Sequence, residues 1–231
     1  GSGGTRVRAG MHYITVNLAA SLLFLIGTAL IYAATGTLNM ADLAQQWRDG
    51  AVAHRTLYEA GGAILGIAFL VKAGMWPLCF WLPGAYSAAS APSAALFAVL
   101  SKVGVYVILR VGTLFLGAEV AAAPSPGTPW LVVAGMGTLV YGTLGVLGAQ
   151  DLPRLASYSV LMSSGTLLAA IAIGGIGLTG AALYYLVVSS LALTAFFLLV
   201  ELVDRGRSAG ADVLAVTAAA FGTDNEDAQD I

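Results

Sequence analysis

The sequence predicts an all-α fold, a polytopic membrane bundle of about six transmembrane helices with one of them broken by proline. Three observations carry this expectation. The 231-residue chain is 58% hydrophobic and only 10% charged, too little charge to cover a soluble domain of this size. Its apolar residues collect in stretches of the roughly 20 residues that a helix needs to cross hydrocarbon. Strict alternation of apolar and polar residues is absent, and the long runs of Ala, Leu, Val and Gly suit helices rather than a barrel. A mean hydropathy of +0.86 agrees.

The expected spans are A over residues 11–33, B over 57–82, C over 92–117, D over 130–149, E over 155–176 and F over 179–203. Between A and B lies the longest loop, 34–56, in which "LNMADLAQQW" reads as a short surface helix. B contains a lysine and a proline, C a second lysine, and D to F have hydroxyls but no ionisable group at mid-membrane. The glycine-rich "GGIGLTG" (174–180) reads as the turn between E and F, since a nucleotide-binding glycine loop needs a preceding strand. The 29 glycines fit a tight bundle, because small residues let membrane helices approach closely. Two regions follow: residues 1–205 as the transmembrane bundle and 206–231 as an acidic, solvated and partly disordered cytoplasmic segment with Asp212, Asp224, Glu226, Asp227 and Asp230.

Orientation follows the basic residues. Arg6, Arg8, Arg154, Arg205 and Arg207 fall on the side of the termini, and Arg48 and Arg55 on the other. This excess predicts cytoplasmic termini. Arg110, near the outer end of C, is placed to snorkel. The chain begins at Gly1, and "GSGG" reads as an appended tag or as the start of a piece of a longer protein. Cys79, the single cysteine, reads as a small buried hydrophobe.

Lys72 and Lys102 are the only lysines, and both lie inside predicted spans. Each costs roughly 2.5–3.5 kcal/mol at a helix centre on insertion scales. A packing role or snorkelling is the plain explanation. The functional one is a site that takes up and releases protons or cations, because a lysine withdrawn from water can exchange its proton near neutral pH. No carboxylate sits at mid-span, so an acidic partner has to come from elsewhere or water has to solvate the ammonium. Pro77, five residues after Lys72, is expected to interrupt span B as a hinge. An interrupted helix at membrane depth is tolerated where its freed carbonyls meet protein or a hydrated cavity, and such breaks are where secondary transporters place ion sites.

The hydroxyls of D (Thr138, Tyr141, Thr143), E (Ser159, Ser163, Ser164, Thr166) and F (Tyr184, Tyr185, Ser189, Ser190, Thr194) have an ordinary role in bonding their own backbone or a neighbouring helix. Tyr141, Ser159, Ser163, Ser189 and Ser190 are the candidates for a polar path. His12 and His54 stand at span or loop edges and read as interfacial. No catalytic residue, metal site or cofactor is assigned: the sequence shows no Cys/His ligand cluster, no phosphate-binding loop and no nucleophile with a base at useful spacing.

"VKAGMWPLCFWLP", "SAPSAALFAVLSKVGVYVILR" and "QDLPRLASYSVLMSSG" together resemble the antiporter-like family. That family comprises the large subunits of Mrp-type (Pha) cation/proton antiporters and the related membrane subunits of respiratory complex I. The N-terminal "MHYITVNLAASLLFLIGTALIYAATGTLNMADLA" is most similar to the D-type subunits of Mrp antiporters. The resemblance places Lys72 on the family's broken-helix lysine and Lys102 on the lysine of the next helix. It implies a bundle of inverted repeats, each with a discontinuous helix, and a proton path along a central polar axis. It also implies that family members have about twice as many spans as the six expected here. The glutamate that faces the broken-helix lysine would lie upstream of Gly1, and a second broken helix beyond Ile231. After "YYLV", where the family often has histidine, this chain has Val188 followed by Ser189 and Ser190.

The expectation is therefore a membrane subunit of a multisubunit Na+(K+)/H+ antiporter in a bacterial cytoplasmic membrane, not an enzyme, and inactive as this piece alone. Its partners would be the other subunits of the complex, Na+ or K+, protons and lipid, with no nucleic acid. Two alternatives stay open: a proton-pumping subunit of a complex I-like oxidoreductase or membrane hydrogenase, and a structural membrane subunit with an inactive polar axis.

Overall fold

The computed structural model describes residues 2–116, 128–174 and 176–221. Every regular element among them is helical: α1 (Ser2–Thr35), α2 (Met40–Arg48), α3 (Arg55–Ala73), a 3-10 turn (Leu78–Phe80), α4 (Trp81–Ala88), α5 (Ala91–Leu116), α6 (Thr128–Leu147), α7 (Leu152–Ile173) and α8 (Ile176–Phe221). Six segments have the length and apolarity to cross a bilayer, with α3, the 3-10 turn and α4 forming one of them over Arg55–Ala88. The chain is thus a multi-pass membrane protein, as its composition predicts.

The observed helices overlap the six expected spans; α1 starts at Ser2, well before the expected start of span A near 11, and boundaries in the second half also differ. The turn expected over 174–180 contracts: Gly174, at φ 75°, ends α7, and α8 begins at Ile176. Glycine adopts this backbone without steric cost, whereas Gly177 and Gly180 are simply carried within the helix. At its far end α8 runs on to Phe221, well past the expected end of span F near 203. The acidic residues from Asp224 onward lie outside the described residues.

Helix α7 is the most enclosed span. It packs against α4, α5, α6 and α8, and its buried residues run from Ala156 to Ala172 on more than one face. Lipid tails are as apolar as Leu, so such a helix is held by close packing rather than by escape from water. The α6–α7 contact shows how close that packing is. A Cβ on Gly142 would stand 2.5 Å from the Met162 nitrogen, and one on Gly165 would run into the Leu139 nitrogen. Any larger residue at either position has to part the two backbones.

Helix starts are set locally. The Asp151 carboxylate accepts the Arg154 N–H at 2.9 Å, and Pro153 stands in the first turn of α7. Both are strong helix-start signals. The acidic residue of "QDLPR" therefore caps the helix, and the basic one adds an exposed Arg154–Asp151 ion pair at 3.4 Å beside it. Asn39 caps α2 by accepting from Ala41 N–H at 2.9 Å. This short helix, expected on the surface, lays Leu43 and Trp47 over Ile31, Ala34, Tyr58 and Val111 at one end of the bundle. The Trp47 ring stacks on Tyr58 at 5.3 Å between centroids and receives the Arg55 guanidinium at 5.0 Å.

Candidate functional site

The interruption in the second span grows out of "KAGMWP". Helix α3 ends because Gly74 takes a left-handed conformation, φ 72° and ψ 42°. Gly74 N–H returns to the Val71 carbonyl at 3.2 Å and Met75 N–H to the Leu70 carbonyl at 3.1 Å. These paired reverse bonds are those of a Schellman helix ending. Trp76 N–H crosses to α6 and donates to Thr138 Oγ1 at 2.8 Å. Pro77 has no N–H to satisfy. Every backbone donor from Gly74 to Pro77 is therefore either bonded or missing, as membrane depth requires. The sequence places the break at Pro77. The helix already ends at Ala73, because the left-handed Gly74 has turned the chain before the proline ring is reached.

Lys72 lies in the last turn of α3 and is half-buried. Among the described residues its amine has no hydrogen-bond or ion-pair partner. Helix α5 approaches the end of α3 at Gly104, where a Cβ would stand 3.2 Å from the Ala73 nitrogen and 3.5 Å from the Lys72 carbonyl carbon. The end of α3 and the middle of α5 thus approach closely next to Lys72 and two residues from Lys102.

Lys102 on α5 is 1% exposed. Its ammonium donates to Ser163 Oγ at 2.7 Å and to Ser164 Oγ at 3.2 Å, both on α7 and both buried. Among the described residues no carboxylate pairs with it. This chemistry differs from that of a structural ion pair. A carboxylate only accepts and holds the lysine in its charged form. A serine hydroxyl accepts from an ammonium and, by rotating, donates to a neutral amine. The pair Ser163–Ser164 can therefore serve Lys102 in either protonation state without moving a helix. Lys102 is also among the residues that line an open, largely apolar cleft of about 280 Å³ between α5 and α8, with Val99, Val103, Tyr106, Val187, Ser190 and Leu191.

The structure brings together only part of the expected polar path. Ser163 is bonded to Lys102, and Ser190 borders the same cleft while donating to the Leu186 carbonyl at 2.6 Å. Ser159 and Ser189 turn back on their own helices, to Leu155 and Leu186 carbonyls at 2.8 and 3.3 Å. Tyr141 meets Tyr158 edge-on at 6.0 Å between ring centroids. Pro77 lies in the interruption, directly before the 3-10 turn. Gly74, Gly104, Ser164 and Thr138 do structural work at the site that sequence reasoning did not assign. A signal existed for Gly74: glycine at the end of an apolar run with proline three residues later marks a helix C-terminus.

Six apolar spans, one interrupted beside a lysine and the next enclosing a second lysine among hydroxyls, define a helical-bundle membrane protein with an ionisable core. The chain belongs to the family described as NADH:quinone oxidoreductase/Mrp antiporter, TM, which matches residues 2–216. It is 60% identical over 230 residues to the D-type subunit of a probable K(+)/H(+) antiporter of Rhizobium meliloti, covering 100% of this chain and 43% of that protein. It is 36% identical to the D-type subunit of the Na(+)/H(+) antiporter of Bacillus subtilis, covering 85% of this chain and 39% of that one. Over 80% of its length it is 34% identical to the N-type subunit of the NADH-quinone oxidoreductase of Desulforudis audaxviator, matching 36% of that protein. Among solved structures, a chain of the Mrp complex from Dietzia sp. DQ12-45-1b superposes with a TM-score of 0.73 at 30% identity, over 84% of this chain and 35% of that one. A chain of an archaeal membrane-bound sulfane sulfur reductase gives 0.72 at 30% identity, over 84% and 39%. The chain spans less than half the length of these curated relatives.

Proposed function

We propose that this chain is part of a membrane subunit of a multisubunit Na+(K+)/H+ antiporter, acting in a bacterial cytoplasmic membrane with other subunits of its complex. Protons and a monovalent cation are its substrates, and the exchange belongs to the complete subunit within that complex. Lys72 and Lys102 are its proton-handling groups, and Pro77 lies in the turn that interrupts the helix between them. The observation that carries this reading is the setting of Lys102: a buried amine whose partners are hydroxyls able to serve it with or without its extra proton. The 60% identity to a probable K(+)/H(+) antiporter protein favours K+ as the cation.

A second reading, a proton-pumping subunit of a redox complex, has its own support in the likeness to the NADH-quinone oxidoreductase protein and to the sulfane sulfur reductase. Genomic neighbours separate the two, small antiporter subunits on one side and quinone or hydrogenase modules on the other.

The test replaces Lys72 and Lys102 singly by Ala and by Arg in the complete subunit and measures cation/proton exchange per assembled complex. Both substitutions at either lysine should abolish exchange while assembly persists, since arginine keeps its proton at any working pH. Full exchange in the Arg variants with poor assembly of the Ala variants would show a packing role and sink the reading.

A further inference from the structure

We infer that Thr138, on α6, is a positioning residue that fixes the interrupted turn following Lys72. This deepens the transport reading and rests on it for one arm of its test. The bond from Trp76 N–H to Thr138 Oγ1, at 2.8 Å, joins residues 62 apart in sequence. Of the donors at Gly74, Met75 and Trp76, the first two are satisfied within α3 and only the third reaches another helix. Thr138 is 0% exposed, and its own hydroxyl proton is committed to the Ala134 carbonyl at 2.7 Å. The oxygen is therefore held with a lone pair toward Trp76 rather than free to rotate.

The residue beside it completes the seat. A Cβ on Gly137 would stand 3.2 Å from Trp76 Cε3 and 3.4 Å from Cδ2, so the indole lies against bare helix backbone. Two adjacent residues of α6 thus receive the amide and the ring of one residue of the interruption. Helix α6 is itself locked to α7 at Gly142 and Gly165, and α7 supplies the hydroxyls that hold Lys102. One pair of closely packed helices therefore references both lysines, Lys102 directly and Lys72 through the turn that follows it.

The chain contains its own reporter. Cys79, 1% exposed, lies in the 3-10 turn immediately after the interruption. Thr138→Val keeps the side-chain shape and removes the acceptor. Thr138→Ser keeps the acceptor. In the complete subunit within its complex, a membrane-permeant maleimide should label Cys79 about tenfold faster in Thr138→Val than in wild type, the change in opening expected when one buried donor loses its partner. Labelling is read on the Cys79 peptide by mass spectrometry. Exchange per assembled complex should fall by a similar factor, and Thr138→Ser should restore both. Unchanged Cys79 labelling in Thr138→Val overturns the anchoring. Faster labelling with undiminished exchange overturns the positioning role, as does a Thr138→Ser variant as impaired as Thr138→Val. A wild-type complex without exchange refutes the transport reading alone, and the labelling arm still decides whether Thr138 anchors the turn.

Discussion

Removing the Ser163 hydroxyl tests the lysine centre at its shortest contact. The Lys102 Nζ–Ser163 Oγ distance of 2.7 Å lies in the range of charge-assisted hydrogen bonds, while the 3.2 Å contact to Ser164 is at the long end for any hydrogen bond. A hydrogen bond to a charged group contributes about 1.5–3 kcal/mol net, and a neutral-strength one about 0.5–1.5 kcal/mol. At about 1.4 kcal/mol per tenfold, Ser163→Ala should lower the population of Lys102 held in place by roughly ten- to a hundredfold, and Ser164→Ala by tenfold at most. The assay is cation-dependent proton movement in everted membrane vesicles bearing the complete complex, normalised to assembled protein by immunoblot. The expected order is wild type, then Ser164→Ala, then Ser163→Ala, then the double variant. A Ser163→Ala rate equal to wild type, a larger loss in Ser164→Ala, or a loss that merely tracks missing protein would each refute the reasoning.

Gly142→Ala should lower the thermal stability of the purified protein by about 1–3 kcal/mol, because its Cβ meets Met162 backbone rather than a side chain that can move aside. A melting temperature matching wild type in detergent would show that α6 and α7 part more easily than their contact implies. For orientation, a cysteine placed at Ser208 should react with membrane-impermeant maleimide only from the cytoplasmic side, given the excess of arginines expected there. Labelling from outside intact cells would invert the topology.

Much of this architecture is legible in composition and spacing, because crossing hydrocarbon leaves a chain few alternatives. The six spans, the surface helix over Met40–Arg48 and the interruption near Pro77 all follow from local sequence. What local sequence does not carry is what depends on partners distant in the chain. That Ser163 and Ser164 serve Lys102, while Ser159 returns to its own helix, depends on the rotation of α7 relative to α5, and all three serines look alike in sequence. Thr138 likewise reads as an ordinary back-bonding threonine, which it is, until the Trp76 amide is seen to arrive from outside its helix. The far end of α8 is hidden for another reason. Asp204, Arg205 and Arg207 interrupt the apolar run just after Val203, and a helix leaving the bilayer has no obligation to stop where the hydrocarbon does.

The 61 residues that separate Lys102 from Ser163 impose a condition on how the protein is made. At roughly 5–20 residues per second, on the order of 3–12 seconds of synthesis pass between the lysine and the first hydroxyl that receives it. During that interval α5 has emerged with an ammonium that hydrocarbon opposes by roughly 2.5–3.5 kcal/mol, and α7 does not yet exist. The apolar residues of α5 outweigh that cost, so the helix can enter the bilayer first, and the α6–α7 hairpin then relieves an ammonium that has waited in the membrane without its serines.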